Sequence, residues 1–148
     1  MNQKEKEIIK SLRNGERNVS NIARKLKMPV STVSESVRKI RKKYIVKHSS
    51  LLDYNKIGYM ANFFLTIKIN AEHRKEFLDF LKSQNCVNSI YTINSGYNFL
   101  VEIVCRDNLD MVNWIEGLKN RFSMDLNQFQ VLKTEDKEMF VPEFGGEI

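Results

Sequence analysis

The stretch from Val19 to Lys43 constrains what this chain can fold into more than any other. Ile22, Ala23 and Leu26 recur at helical spacing, and Ser20 is placed to cap the helix that carries them. Ala23 is small where a crossing helix must come close. Met28-Pro29 then breaks the run, because proline disfavours helix in the residue before it and suits the start of a new one. From about Val30 to Lys43 a second pattern begins, with Val33, Val37, Ile40 and Tyr44 in one narrow sector at about 100° per residue. Ser31, Ser34, Glu35, Arg38 and Lys42 fall opposite. Such a pair must bury one side of each helix and leave the basic, hydroxylated side of the second in water. An outer helix of that kind has the size and chemistry to enter the major groove of DNA.

Gln3 to Arg13 supplies the third helix of a small core, with Ile8, Ile9 and Leu12 as its stripe, an Asn2–Glu5 capping box and Asn14-Gly15 as its stop. Ser20, Ser31, Thr32, Ser34, Glu35, Arg38, Lys39 and Lys42 are the candidate DNA-contacting residues. Short hydroxyls near a helix start approach base edges or phosphates without steric conflict, and Arg38 suits a bidentate contact to guanine. Lys39, Arg41, Lys42 and Lys43 suit phosphate contacts, which give affinity and salt dependence but no sequence information. A merely solvated basic face is the plain alternative. The three-helix layout and the hydroxyl-rich start favour DNA over that, and RNA modules of the sheet type want exposed aromatics on strands.

The net charge of +6 hides a split. Residues 1–50 hold 14 Lys/Arg against 4 Asp/Glu, whereas residues 51–148 hold 10 against 14. Basic charge confined to one third of the chain marks a polyanion-binding segment attached to something else. No apolar run approaches the roughly 18 residues that span a bilayer, so a membrane partner is not expected. Cys86 and Cys105 lie in apolar runs without metal-ligand spacing and read as reduced thiols of a cytoplasmic protein. No nucleophile–base pair, phosphate-cradling loop or metal cluster stands out, so no catalytic residue, metal or cofactor is expected.

After an extended stretch, Ile45 to Leu52, and a turn, Asp53 to Gly58, the periodicity becomes strand, helix, strand, strand, helix, strand. Phe63, Leu65, Ile67 and Ile69 alternate with Asn62, Phe64, Thr66 and Lys68, so one strand face is buried. His73 to Gln84 is helical, Val87 to Ile93 and Phe99 to Cys105 are strands around the turn Asn94 to Asn98, Asn108 to Phe122 is helical with Val112, Ile115, Leu118 and Phe122 on one side, and Met124 to Leu132 is the last strand. The order βαββαβ predicts a ferredoxin-like sheet with two helices on one face. The other face is expected to carry Phe64, Ile90, Leu100 and Val104, which call for a partner, most simply a second copy of the same sheet. The fold class is therefore α+β, a winged/helix-turn-helix three-helix domain over 1–44, a linker over 45–58, a ferredoxin-like domain over 59–135, and a tail over 136–148. The tail from Met139 to Ile148 has no clear periodicity and admits two readings, aromatics docked on a neighbouring subunit or a loose end, of which partial docking is favoured.

At this point the chain resembles the Lrp/AsnC family, the feast/famine regulators of bacteria and archaea. The resemblance covers most of Lys4 to Thr134. It rests on Ile22-Ala23-Arg24-Lys25-Leu26, Ser31-Thr32-Val33-Ser34, Val37-Arg38-Lys39-Ile40, Ile45-Val46-Lys47, Leu52-Asp53 with Ile57-Gly58, the hairpin Asn94 to Val101, and Val131-Leu132-Lys133-Thr134. It implies a reader of double-stranded DNA, a homodimer that can build an octamer or higher assembly, and an amino-acid effector held near the hairpin turn, here Ser95, Gly96, Tyr97 and Asn98. Three departures stand out. The family usually has glycine where this chain has Lys27 and again where it has Tyr44, and Asn98 replaces a carboxylate that would partner an ammonium group. Two other functions compete: a siroheme-decarboxylase-like enzyme of similar fold, which needs histidines gathered around a tetrapyrrole whereas His48 in the linker and His73 at a helix start show no cluster and read as surface histidines, and an architectural DNA-coating protein.

Overall fold

The computed structural model describes residues 1–144; Gly145 to Ile148, the end of the expected docking tail, lie outside the described residues. The chain divides into two compact units, one formed by Met1–Leu51 with the segment from Asp136, the other by Leu52–Glu135.

The first unit holds three helices, α1 (Gln3–Arg13), α2 (Val19–Leu26) and α3 (Val30–Tyr44). The capping box of α1 forms as the sequence suggests: Asn2 Oδ1 accepts from the Glu5 N–H at 2.8 Å, and Glu5 Oε2 accepts from the Asn2 N–H at 3.0 Å. At α2 the expectation fails, because Asn18 rather than Ser20 is the N-cap, its Oδ1 accepting from Ser20 N–H at 2.9 Å and Asn21 N–H at 3.3 Å. Asparagine caps as well as serine, and starting two residues earlier brings Val19 against the core. Ile8, Ile22, Ala23, Val33, Val37 and Ile40 are buried together. Each large member contributes about 1.5–3 kcal/mol by leaving water. Tyr44, placed in the same sector by periodicity, is 41 % exposed. It is the last residue of α3, a turn beyond Ile40, and the Lys43 ammonium sits 5.1 Å from its ring centre. No wing strand follows α3 among the described residues; 45–51 runs without regular structure.

The second unit is a four-stranded antiparallel sheet, β1 (Ala61–Lys68), β2 (Val87–Thr92), β3 (Phe99–Cys105) and β4 (Asp125–Gln130), in the order β2-β3-β1-β4. Helices α4 (Arg74–Lys82) and α5 (Asn108–Arg121) pack Phe77, Leu81, Met111, Ile115 and Leu118 against Phe63, Leu65, Ile67, Val101 and Ile103. Phe77 meets Phe122 edge-on, with ring centres 5.0 Å apart. This is the expected ferredoxin-like arrangement. On α5 the buried stripe begins at Met111 and not at Val112, which is 44 % exposed. Met111, Ile115, Leu118 and Phe122 follow the true 3.6-residue period, from which Val112 is rotated by about 100°.

A register irregularity between Val87 and Ser89 moves one expected residue across the sheet. Ile90 pairs with Val101 and packs toward the helices instead of the open face. One extra residue in a strand sends every later side chain to the opposite face. The open face keeps Phe64, Leu100 and Val104 and gains Tyr91, opposite Leu100, and Phe129, opposite Phe64.

Candidate nucleic-acid interface

Helix α3 is held by its inner edge alone. Val33, Val37 and Ile40 are buried, while Ser31, Thr32, Ser34, Glu35, Arg38, Lys39 and Lys42 are all exposed along the outer side. Arg41 and Lys43 add two more exposed cations near the helix end, where they also complement its negative pole. Ser20 lies exposed in the first turn of α2. The structure thus gathers seven of the eight residues on one helix and sets Ser20 on the preceding one.

Charge along that surface is not uniform. Lys39 Nζ lies 2.9 Å from Glu35 Oε1, one helical turn away, and this ammonium holds the Glu35 carboxyl below the usual carboxylate range. Both side chains are exposed, so the pair is a weak one. Glu35 is the one carboxylate on this exposed side of α3.

The turn that sets α2 against α3 carries strain. Lys27 is left-handed, with φ 53° and ψ 47°, and the Met28 N–H reaches back to the Ala23 carbonyl at 2.9 Å. The geometry usual for glycine is kept although a lysine occupies it. The other departure behaves differently: Tyr44 ends α3, and Ile45 after it is extended at φ −100°, so no glycine-favouring conformation is needed there.

Three features escaped the sequence reading. The tail docks on α1 of its own unit through backbone, not through its aromatics. Arg13 Nε donates to the Phe140 carbonyl at 2.7 Å and its terminal nitrogen to the Glu138 carbonyl at 2.9 Å and carboxylate at 3.1 Å. Met139 and Phe140 remain exposed, and only Phe144 brings a ring near α1, 5.9 Å from Lys6 Nζ. Glu102, on the open face of the sheet, is only 3 % exposed and accepts from Asn62 Nδ2 at 3.2 Å, Asn88 Nδ2 at 2.7 Å and Ser89 Oγ at 3.1 Å. A lone carboxylate inside the apolar run Phe99 to Cys105 was the signal. Finally, a cleft of about 530 Å³ lies between the start of α4 and the hairpin turn.

That turn uses two left-handed residues in succession, Ser95 at φ 64° and Gly96 at φ 85°. Tyr97 and Asn98 reach the cleft, whereas Ser95 and Gly96 do not line it. Asn98 Oδ1 accepts from the Ile69 N–H at 2.5 Å, pinning the turn to the end of β1, and the Tyr97 hydroxyl accepts from Asn127 Nδ2 at 2.6 Å. Burial pushes both thiols up, Cys105 to about 11. His48 and His73 fall in different units, and among the described residues no group of three or more His, Cys, Asp and Glu is placed to hold a metal ion. No described helix is long and apolar enough to cross a membrane.

Residues 2–47 match the model of a family described as bacterial regulatory protein, arsR family, which spans the three helices but less than half of the chain. No curated protein sequence matches. Among solved structures, a transcriptional regulator of Neisseria meningitidis in complex with L-methionine superposes with a TM-score of 0.86 at 15 % identity, covering 96 % of each chain. The leucine response regulatory protein of Mycobacterium tuberculosis gives 0.83 at 14 % identity over 96 % of this chain and 100 % of its own. E. coli AsnC gives 0.83 at 17 % identity over 96 % and 99 %. The chain therefore has the fold of the Lrp/AsnC regulators, a helix-turn-helix unit joined to a ferredoxin-like one, as its motifs suggested.

Proposed function

We propose that this chain is a sequence-specific DNA-binding regulator of transcription of the Lrp/AsnC type, acting in the cytoplasm and not as an enzyme. The observation that carries the reading is the division of α3 into a fully buried apolar edge and an outer side of hydroxyls and cations. Ser31, Thr32 and Ser34 at the helix start face bases or phosphates, Arg38 reads a guanine, and Lys39 and Lys42 hold backbone phosphates. Ser20, at the start of α2, contacts the flanking phosphate.

A second copy seats on the open sheet face. Phe64, Leu100, Val104, Tyr91 and Phe129 make it apolar, and two buried polar atoms near them, Asn62 Oδ1 and Thr66 Oγ1, have no hydrogen-bond partner among the described residues. A homodimer covers the first and offers partners to the second, and it reads a two-fold related site. Larger assemblies such as an octamer extend the same principle. A Neisseria regulator of the same fold was solved with L-methionine, and here the cleft beside Tyr97 and Asn98, about 530 Å³, is the place we assign to a small effector.

Selection of bound duplexes from a random pool tests the reading. The expected product is a two-fold symmetric consensus. Arg38→Ala is expected to relax preference at one base position per half-site with a loss of about 1–3 kcal/mol on the cognate site. Enrichment of no consensus would contradict sequence-specific regulation, and an equal loss on all duplexes would make Arg38 a phosphate contact.

A further inference from the structure

The cleft beside the hairpin turn has a charge character that selects its ligand. Its volume of about 530 Å³ is that of a small-molecule site, and it lies wholly in the sheet unit. Arg74 and Lys75 line one side, Thr92 and Tyr97 the other, and Leu78 with Phe99 make an apolar floor. No carboxylate lines it, and neither Arg74 nor Lys75 has a carboxylate within ion-pair distance among the described residues. Two adjacent cations at the first turn of α4 oppose the positive pole of that helix and repel each other. Folding alone gives no reason to place them there.

The turn offers no carboxylate to a cation in return. Asn98 is neutral, and its side-chain oxygen already accepts from the Ile69 N–H. The Tyr97 hydroxyl already accepts from Asn127 and has its own hydrogen left to donate. Of the polar side chains that line the cleft, Arg74 and Lys75 are cationic, and the Asn98 amide and the Tyr97 and Thr92 hydroxyls can each donate.

We infer that the cleft binds a small dicarboxylic acid without an ammonium group, such as a 2-oxo diacid. One carboxylate pairs with the Arg74 guanidinium in the forked geometry that arginine favours, the other meets Lys75 and the Tyr97 hydroxyl, and the carbon chain lies over Leu78 and Phe99. An amino acid of the same skeleton brings an ammonium into a field that repels it. This assignment rests on the effector reading of the cleft and changes the ligand class from an amino acid to its deaminated counterpart.

The test is calorimetric titration of the full chain, without DNA, with 2-oxoglutarate and with glutamate, two probes that differ only at C2. Tighter binding of 2-oxoglutarate by about tenfold or more is expected, along with a loss of about tenfold or more in Arg74→Ala and Lys75→Ala. Both side chains are exposed, so unchanged circular dichroism in these variants separates lost binding from lost folding. Preference for glutamate, unaltered affinity in both variants, or no heat with either probe at millimolar concentration overturns the inference. Duplex binding is measured separately by anisotropy. A chain that binds DNA but neither probe loses only this inference, while one that binds 2-oxoglutarate but no DNA loses the regulator reading instead.

Discussion

Lys27 shows how a single residue can depart from an expected type without changing the architecture. The left-handed conformation costs an L-residue with a Cβ roughly 1–2 kcal/mol relative to glycine, yet the Met28-to-Ala23 hydrogen bond that closes the turn is made. Lys27→Gly is therefore expected to raise stability by about 1 kcal/mol, partly offset by the greater freedom of glycine in the unfolded chain. Urea unfolding measures it; destabilisation of similar size would mean the lysine side chain contributes more than its backbone costs. Cys105 gives a pH dependence of definite sign. Its folded thiol titrates at about 11, above its ordinary value, so the folded state keeps a proton that the unfolded chain releases. The stability this contributes is whole below about pH 9 and falls as pH rises toward about 11. Cys105→Ala is expected to flatten that decline by on the order of 2 kcal/mol, read from melts at pH 8 and pH 11. Identical declines in the two proteins would contradict the burial of the thiol.

Among the elements, β3 carries the sharpest exposure of the account to test. Glu102 holds Asn62, Asn88 and Ser89 together on the open face, so replacing it with leucine leaves three donors without their acceptor. A loss of about 3 kcal/mol is expected on chemical denaturation; a change within about 0.5 kcal/mol would mean that water or neighbours satisfy these groups at no cost. Elements with strong local periodicity were legible in the sequence. α1 and β3 begin and end where predicted, because a capping box and a glycine stop bound the first and a run of branched apolar residues makes the second. What could not be read depended on contacts distant in sequence. Whether Asn18 or Ser20 caps α2 is decided by how Val19 meets the core, and the irregularity near Val87 that turns Ile90 inward exists only in relation to β3. The buried and exposed sides of α3 were readable because the helical period alone defines them. The grip of Arg13 on Glu138 and Phe140 was not, since it joins residues at opposite ends of the chain, through two backbone carbonyls that carry no side-chain signature and one carboxylate among many.

For the molecule as a whole, the proposed regulator joins a basic unit that reads DNA to a sheet unit, Leu52–Glu135, that is nearly neutral with 9 Lys/Arg against 10 Asp/Glu and pairs copies. Pairing through the open sheet face has its own consequence: Leu100→Glu or Phe129→Glu, which set like charges opposite one another across a two-fold axis, are expected to turn the dimer into monomer in light scattering. An unchanged mass would place the interface elsewhere. The central claim is that the outer side of α3 lies between phosphate ridges, and affinity for duplex DNA as a function of salt measures it most directly. With Lys39, Arg41, Lys42 and Lys43 exposed on each copy, the logarithm of affinity should fall linearly with the logarithm of salt concentration, with a slope of about −4 or steeper. Lys42→Ala should reduce that slope by about 1 per copy while leaving base preference intact. Absence of duplex binding at low salt, or binding indifferent to salt and to Lys42, would contradict the account at its foundation.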